Sequence, residues 1–92
     1  MSTNTCLSLI TYTIFEERLI EPFKTQRNEK SYAMFNEGKT EFFPNAGSSA
    51  TQVGNVNIRF WVDRAAAQEY IDYITPLAES YGIEISTAIE DF

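Results

Sequence analysis

The alternation of apolar and polar residues is most regular in the last third of the chain. Residues 56–62 alternate as a half-buried strand does, and one face carries Val56, Ile58, Phe60 and Val62. Arg59 and Trp61, the only tryptophan, fall on the opposite face. Residues 83–89 alternate again and predict a second strand, with isoleucines at 83, 85 and 89 on one face.

Between these strands, the apolar residues recur at helical spacing and predict one amphipathic helix. The stripe consists of Ala67, Tyr70, Ile71, Ile74, Leu77, Ala78 and Tyr81. Asp63 suits the N-cap and Gly82 the C-terminal stop. Pro76 lies inside the stripe, so we expect one kinked helix, with two short helices as the alternative. A strand–helix–strand unit predicts parallel strands, adjacent or separated by one other strand.

Residues 5–14 are rich in β-branched and aromatic types and predict a further strand. Leu7 and Leu9 lie on one of its faces, and Ile10, Tyr12 and Ile14 lie on the other. Because both faces are apolar, this strand is expected at the centre of a sheet or in a dimer seam.

The segment 15–30 has mixed charge and no clear period. Pro22 removes a backbone donor and biases Glu21 away from helical angles, so we expect no long helix here. The segment holds four of the seven basic residues: Arg18, Lys24, Arg27 and Lys30. A solvated loop is the simpler interpretation, and an anion-binding patch is the alternative.

Residues 31–43 predict a β-hairpin, because the aromatic runs YAMF and TEFF flank NEGK. Gly38 can adopt the positive φ that closes a short loop. Pro44 ends the second predicted strand, and residues 45–55 are small, polar and typical of a flexible loop.

Together these elements predict a single α+β domain over residues 1–92. Its architecture would be a four- or five-stranded, mostly antiparallel sheet with one long helix on one face. If the Phe60 face lies under that helix, Trp61 and Arg59 lie on the reverse face. The other candidate binding residues on that reverse face are Tyr12, Tyr32, Phe35 and Phe42. One helix cannot cover both faces, so residues 15–30, a second copy of the chain, or another protein or ligand must cover the reverse face.

Charge and composition narrow the function. The net charge of -6 disfavours binding to nucleic-acid phosphates and to anionic membranes. The chain has no histidine and one cysteine, Cys6, which excludes histidine-based catalysis, zinc sites of Cys and His, and an internal disulfide. We therefore predict no catalytic residue, no metal and no cofactor, and a non-enzymatic protein is favoured. Cys6 is expected to be a small buried residue.

The N-terminal segment lacks the basic region and cleavage site of a signal peptide, and no apolar run approaches the roughly 20 residues of a membrane-spanning helix. A cytoplasmic location is the expectation.

The segment FWVDRAAAQEYIDYITPLAESYGI, with the closing IED, resembles the C-terminal part of short uncharacterised proteins of tailed bacteriophages. The resemblance covers about a third of the chain and brings no catalytic motif. It implies a small accessory or virion-associated protein acting in the host cytoplasm.

Two functions follow as hypotheses. The first is an interaction or assembly module that self-associates, most simply as a dimer, through its aromatic sheet face, and that acts on another protein. The second is a small-molecule-binding protein or small enzyme of compact α+β barrel type, with a pocket beside Trp61 lined by Arg59, Tyr12 and Tyr32. A third, an acidic decoy for a basic protein, needs more clustered carboxylates than the helix provides.

Overall fold

The computed structural model describes residues 4–13, 17–41 and 56–91, which form a three-stranded antiparallel sheet with two helices on one face. The elements in chain order are β1 (Cys6–Thr13), a 3₁₀ turn (Glu17–Leu19), α1 (Ile20–Asn36), β2 (Val56–Trp61), α2 (Arg64–Ser80) and β3 (Glu84–Asp91). The α+β class and the antiparallel sheet are confirmed. The predicted fourth and fifth strands are not found among the described residues.

The sheet order is β2-β1-β3, so β1 is the central strand, as its two apolar faces predicted. Both neighbours run antiparallel to β1 and are therefore parallel to each other, separated by one strand. This is one of the two arrangements expected for the strand–helix–strand unit. The register pairs Ser8 with Arg59 on one side and with Ile89 on the other.

Helix α2 matches the sequence prediction. The side chain of Asp63 caps its N-terminus, with Oδ1 accepting from the Ala66 amide at 2.8 Å. The residues of its apolar stripe are buried or half-buried against the sheet. Pro76 is accommodated within one continuous helix. Gly82 follows the helix end with φ +70°, and the Ile83 amide donates to the Ala78 carbonyl, as in a Schellman motif.

Helix α1 corrects two predictions. It occupies part of the segment expected to be a loop, and residues 31–36 lie in it rather than in the first strand of a hairpin. Pro22 is the third residue of α1, where the missing amide proton would have no intrahelical partner anyway. Gly38 does adopt a positive φ, +79°, but it follows the end of α1 and does not close a hairpin.

The buried stripe of α1 explains why the sequence pattern hid it. Phe23, Arg27, Ser31 and Met34 are each at most 2% exposed and follow helical spacing. Two of the four are polar, so hydrophobicity alone shows no helical period here.

The orientation of β2 is also opposite to expectation. Trp61, Arg59 and Asn57 face the helices and are buried, as are Cys6, Ser8, Ile10 and Tyr12 of β1. Leu7, Leu9, Ile58 and Phe60 lie on the other face of the sheet and are half-buried. Alternation along a strand groups residues by face, but it does not state which face the helices occupy. Phe42 and the predicted loop at 45–55 lie outside the described residues.

Candidate functional site

The interior between α1 and the sheet holds two arginines. Arg27 is 2% exposed and Arg59 is 6% exposed. The tyrosines Tyr12 and Tyr70 and the amide of Asn57 lie with them, also buried. We call these five residues the arginine–tyrosine cluster. Arginine is almost never fully buried unless it is paired, so the cluster requires a physical reason.

Both helices and the strands β1 and β2 contribute to the cluster. Asn57 and Arg59 alternate onto the helix-facing side of β2, and Tyr12 reaches the same side from β1. Tyr70 descends from the buried stripe of α2. Helix α1 packs against α2, and the long side chain of Arg27 spans from α1 to Tyr12 on the sheet.

Hydrogen bonds connect the cluster in three places. Arg27 Nη1 donates to the Tyr12 hydroxyl at 3.2 Å, and its guanidinium carbon lies 5.7 Å from the centre of that ring. Arg59 Nη2 donates to Asn28 Oδ1 at 2.8 Å. The Tyr70 hydroxyl donates to Asn57 Oδ1 at 3.3 Å. These bonds fix the guanidiniums in place but do not neutralise them.

Among residues 4–13, 17–41 and 56–91, four buried nitrogens of the cluster find no hydrogen-bond partner: Arg27 Nε, Arg27 Nη2, Arg59 Nε and Asn57 Nδ2. All four are hydrogen-bond donors. None of the ion pairs formed within the described residues includes Arg27 or Arg59. The cluster is therefore a buried cationic site, and its unpartnered groups are all donors that require hydrogen-bond acceptors.

The tyrosines do not supply the missing negative charge. Burial raises the pKa of the Tyr12 hydroxyl, an effect that the nearby Arg27 opposes. Burial raises the pKa of Tyr70 further, although Arg59 and Arg27 both act to lower it. Both phenols thus stay neutral near pH 7. Arg27 and Arg59 both act against the rise in the pKa of each phenol.

Trp61 lies beside the cluster, fully buried. Its ring centre is 4.9 Å from that of Tyr70, and its Nε1 donates to Ser8 Oγ at 2.9 Å. The chain thus covers its own tryptophan beneath α2, which gives the cluster an intrinsic fluorescent neighbour. Cys6, on the same face, is also buried as expected, and burial raises the pKa of its thiol.

An open depression of about 310 Å³ lies on the surface of α1, lined by Thr25, Asn28, Glu29 and Tyr32. Asn28 is also the acceptor for Arg59, so its side chain contacts both this depression and the buried guanidinium. A second depression of about 400 Å³ lies between the end of α2 and β3, away from the cluster, lined by Thr75, Glu79, Ile83, Glu84 and Ile85.

Two of the predicted site residues, Arg59 and Tyr12, belong to the cluster, and Trp61 contacts it through the ring of Tyr70. Trp61 pairs with Cys6 in the sheet, so it and Tyr12 lie near opposite ends of β1. Tyr32 is 46% exposed on α1 and its ring centre is 6.4 Å from that of Phe35, which is half-buried on the same helix. These two residues do not join Trp61, because they belong to a helix and not to a hairpin. Phe42 lies outside the described residues.

Sequence reasoning missed Asn57 and Tyr70 as site residues and noted Arg27 only as part of an anion-binding alternative. The available signal was the spacing of Phe23, Arg27, Ser31 and Met34, which places an arginine in a helical stripe. No sequence rule assigns such an arginine to the interior, since charged residues normally mark the solvent face.

The reverse face of the sheet is the other distinctive surface. Leu7, Leu9 and Ile58 form a half-buried apolar patch on it, which we call the reverse patch. Within the described residues, both helices pack on the opposite face. Exposed Glu84 and Glu90 of β3 point to the same side as the patch and border it.

Other site types find no support in the described part of the chain. No group of three or more acidic or cysteine side chains there is placed to hold a metal ion. Neither described helix combines the length and apolar character needed to cross a bilayer.

No family model, curated protein or solved structure matches this chain. The resemblance to bacteriophage proteins therefore stays a prediction. The function is therefore argued from the geometry of the arginine–tyrosine cluster and of the reverse patch.

Proposed function

We propose that this protein is a non-enzymatic binder of a small organic anion, held between α1 and the sheet at the arginine–tyrosine cluster. The observation that carries the proposal is the burial of Arg27 and Arg59 with no carboxylate partner within the described residues. This develops the small-molecule alternative raised by the sequence, with Arg27 and Tyr70 added to its lining.

The cost of burying the two guanidiniums must be offset by other interactions. A charged group transferred from water to an apolar interior costs several kcal/mol unless opposite charge and hydrogen bonds offset that cost. Hydrogen bonds to Tyr12 and Asn28 offset part of it. An anion among the guanidiniums would supply both the missing charge and acceptors for the unpartnered nitrogens.

A purely structural role, without a ligand, explains the cluster less well. Apolar side chains of similar volume fill an interior at no desolvation cost, and they usually stabilise a fold as well as or better than buried charges do. Two buried arginines that face no carboxylate contribute little to folding, but they suit the capture of an anion from water.

The depression beside Asn28 supports access from solvent. A rotation of the Asn28 side chain would release Arg59 Nη2 and open the space toward the depression. Glu29 at its rim opposes anion entry electrostatically, and this repulsion between exposed groups weakens as salt is added.

Thermal unfolding with matched ligand pairs tests the proposal. We expect benzoate, acetate or phosphate at millimolar concentration to raise the unfolding temperature at constant ionic strength, because a ligand that binds only the folded state stabilises it. Benzamide and acetamide, the neutral counterparts of two of these ions, serve as controls and should have no effect. If no anion in the panel raises the unfolding temperature above the sodium chloride reference, the proposed function is wrong.

A second candidate function is self-association through the reverse patch. It is favoured by the apolar residues Leu7, Leu9 and Ile58 on the sheet face opposite the helices. We propose a second copy of the chain as the occupant, because stacking two such faces in a two-fold dimer buries apolar surface without burying a charge. The glutamates of β3 remain at the rim, where the two copies repel each other.

Sedimentation velocity against salt concentration separates this candidate from its rivals. A dimer with acidic rims should strengthen as salt screens the repulsion, whereas a complex with a basic partner would weaken. Leu9→Lys should yield a monomer, and Gln68→Lys, at an exposed position of α2 on the opposite side of the sheet, serves as the control. A monomer at tens of micromolar at every salt concentration would mean that the chain itself covers the patch or that the patch binds something else.

A further inference from the structure

We infer that the group recognised at the cluster is a carboxylate, held side-on by Arg27. This inference deepens the proposed function and rests on it. It concerns the stereochemistry of the unpartnered donors, whereas the proposed function concerns only their charge.

The bonding of Arg27 leaves one particular edge of its guanidinium unused. Nη1 donates to the Tyr12 hydroxyl, whereas Nε and Nη2 have no partner in the part of the chain that the structure describes. In a planar guanidinium, the Nε–H bond and one Nη2–H bond point the same way and form a two-pronged donor. Their spacing matches the two oxygens of a carboxylate, which accepts both bonds in parallel.

Arg59 and Asn57 add donors from the sheet. Nε of Arg59 and Nδ2 of Asn57 are the remaining unpartnered nitrogens, and the two residues lie two apart on the same face of β2. Arg59 is oriented by Asn28, the neighbour of Arg27 on α1, so the helix and the strand present their donors to one interior region.

Charge and surroundings favour a carboxylate over a phosphate. The four unpartnered nitrogens carry six N–H groups, two on Arg27 Nη2, two on Asn57 Nδ2 and one on each Nε, so a carboxylate can accept from the Arg27 edge and from the sheet. A phosphate dianion carries a second charge, and moving it out of water costs more than moving a monoanion. The surrounding side chains are aromatic, with Tyr12 packed edge-on against Phe23 at 5.3 Å. We therefore assign the ligand class as small monocarboxylic acids with an apolar body.

Titrations of Trp61 fluorescence with benzoate and with inorganic phosphate, at constant ionic strength, test this assignment. Benzoate should bind the native chain at least tenfold more tightly than phosphate does. Arg27→Lys keeps the charge but removes the two-pronged donor, so it should weaken benzoate binding at least tenfold. Arg64→Lys is the matched control, because Arg64 is exposed and pairs with Asp91 away from the cluster. Its benzoate affinity should equal that of the native chain.

Arg27→Met separates a loss of binding from a folding defect, because a protein with an apolar side chain at this buried position is expected to fold. It should keep a cooperative unfolding transition, at least as stable as that of the native chain, and lose the benzoate response. A nuclear magnetic resonance spectrum of the arginine Nε–H groups gives an independent readout, in which benzoate should shift the Arg27 signal downfield.

The outcomes separate the inference from the proposed function. Tighter binding of phosphate than of benzoate, or native benzoate affinity in Arg27→Lys, would overturn the carboxylate assignment and leave anion binding in place. Failure of both probes to bind the native chain would overturn both proposals. Loss of benzoate binding in Arg64→Lys would place the site elsewhere and overturn the assignment as well.

Discussion

Helices α1 and α2 have the same length, 17 residues, and end in the same way, yet their buried stripes differ in chemistry. Glycines with positive φ follow both helices, and Schellman hydrogen bonds close both ends. The buried stripe of α2 is apolar apart from one tyrosine hydroxyl, whereas that of α1 contains Arg27 and Ser31. The apolar stripe of α2 contributes directly to the hydrophobic core, whereas the polar residues in the stripe of α1 form part of the proposed anion site.

The two helices also connect to the rest of the molecule differently. Helix α2 lies directly on all three strands, while α1 packs on α2 and reaches the sheet through long side chains. Ion pairs of Lys30 and Lys39 with Glu69 tie α1 and its following turn to α2. These bonds lower the pKa of Glu69, but the groups are partly exposed, so solvent screens the pairs and their contribution is small.

The largest expected effect comes from the stripe of α2. Ile74→Ala should lower the free energy of unfolding by about 2–5 kcal/mol, because Ile74 is fully buried and the substitution leaves a cavity. Chemical denaturation measures the change. Glu79→Ala, on the exposed side of the same helix, is the control and should change stability by less than about 0.5 kcal/mol. Similar losses for both variants would contradict the packing of α2 described here.

The next prediction concerns a substitution that gives α1 an apolar residue at a buried position, as in α2. Arg27→Met should raise the free energy of unfolding of the ligand-free protein by about 1–4 kcal/mol, since it replaces a buried charge without an ionic partner by an apolar chain of similar length. Chemical denaturation without added organic anions is the measurement. Lys24→Met on the same helix is a half-buried control and should change stability little. A destabilised Arg27→Met protein would mean that the arginine is part of the folding core.

A smaller effect tests whether the helix ends are equivalent. Gly38→Ala and Gly82→Ala should each lower the free energy of unfolding by about 1–2 kcal/mol, because an L side chain disfavours the left-handed region. Neither added Cβ atom meets a neighbour within 4 Å, so the cost is conformational and should be similar at both sites. A neutral Gly38→Ala would show that α1 does not end as described.

The smallest effect depends on pH. The pKa of Tyr70 is raised in the folded state, so its contribution to stability is full below about pH 10, the ordinary tyrosine value, and is lost as pH rises above that. Between pH 9 and pH 10.5, Tyr70→Phe should therefore lose less stability than the native chain, by under about 1 kcal/mol.

Denaturation curves at each pH give the comparison for this variant. Tyr73→Phe, at an exposed position of the same helix, is the control and should follow the native curve. If Tyr70→Phe also follows the native curve, the phenol at position 70 ionises in the folded protein as freely as in the unfolded chain.

The sequence predicted those elements whose hydrophobic period coincides with their burial. The bounds, N-cap and terminal glycine of α2 could all be read from residues 63–82, and so could the central position of β1 from its two apolar faces. Helix α1 could not be found in this way, because polar residues occupy half of its buried positions. The positive φ of Gly38 was predicted correctly, but it was assigned to a hairpin loop and not to a helix end. Both structures use a glycine with positive φ, so the residue type does not distinguish them.

Candidate site residues followed the same division. Arg59, Trp61 and Tyr12 were singled out by residue type, and the structure places all three on one buried face of the sheet. The sequence analysis placed these residues on the sheet face away from the helix, whereas the structure places them on the face that the helices cover. Alternation within 56–62 is symmetrical with respect to the two faces, so local pattern offers no reason to put Arg59 inside and Ile58 outside.

The sequence by itself determined the α+β class, the strand–helix–strand unit at the C-terminus, and the absence of histidine chemistry, because these depend on composition and short-range periodicity. Only the tertiary structure decided which sheet face the helices cover, and hence that two guanidiniums are buried together with three of their nitrogens unpartnered within the described residues. That outcome depends on contacts among α1, β1 and β2. Residues far apart in the chain make these contacts, and no local pattern encodes them.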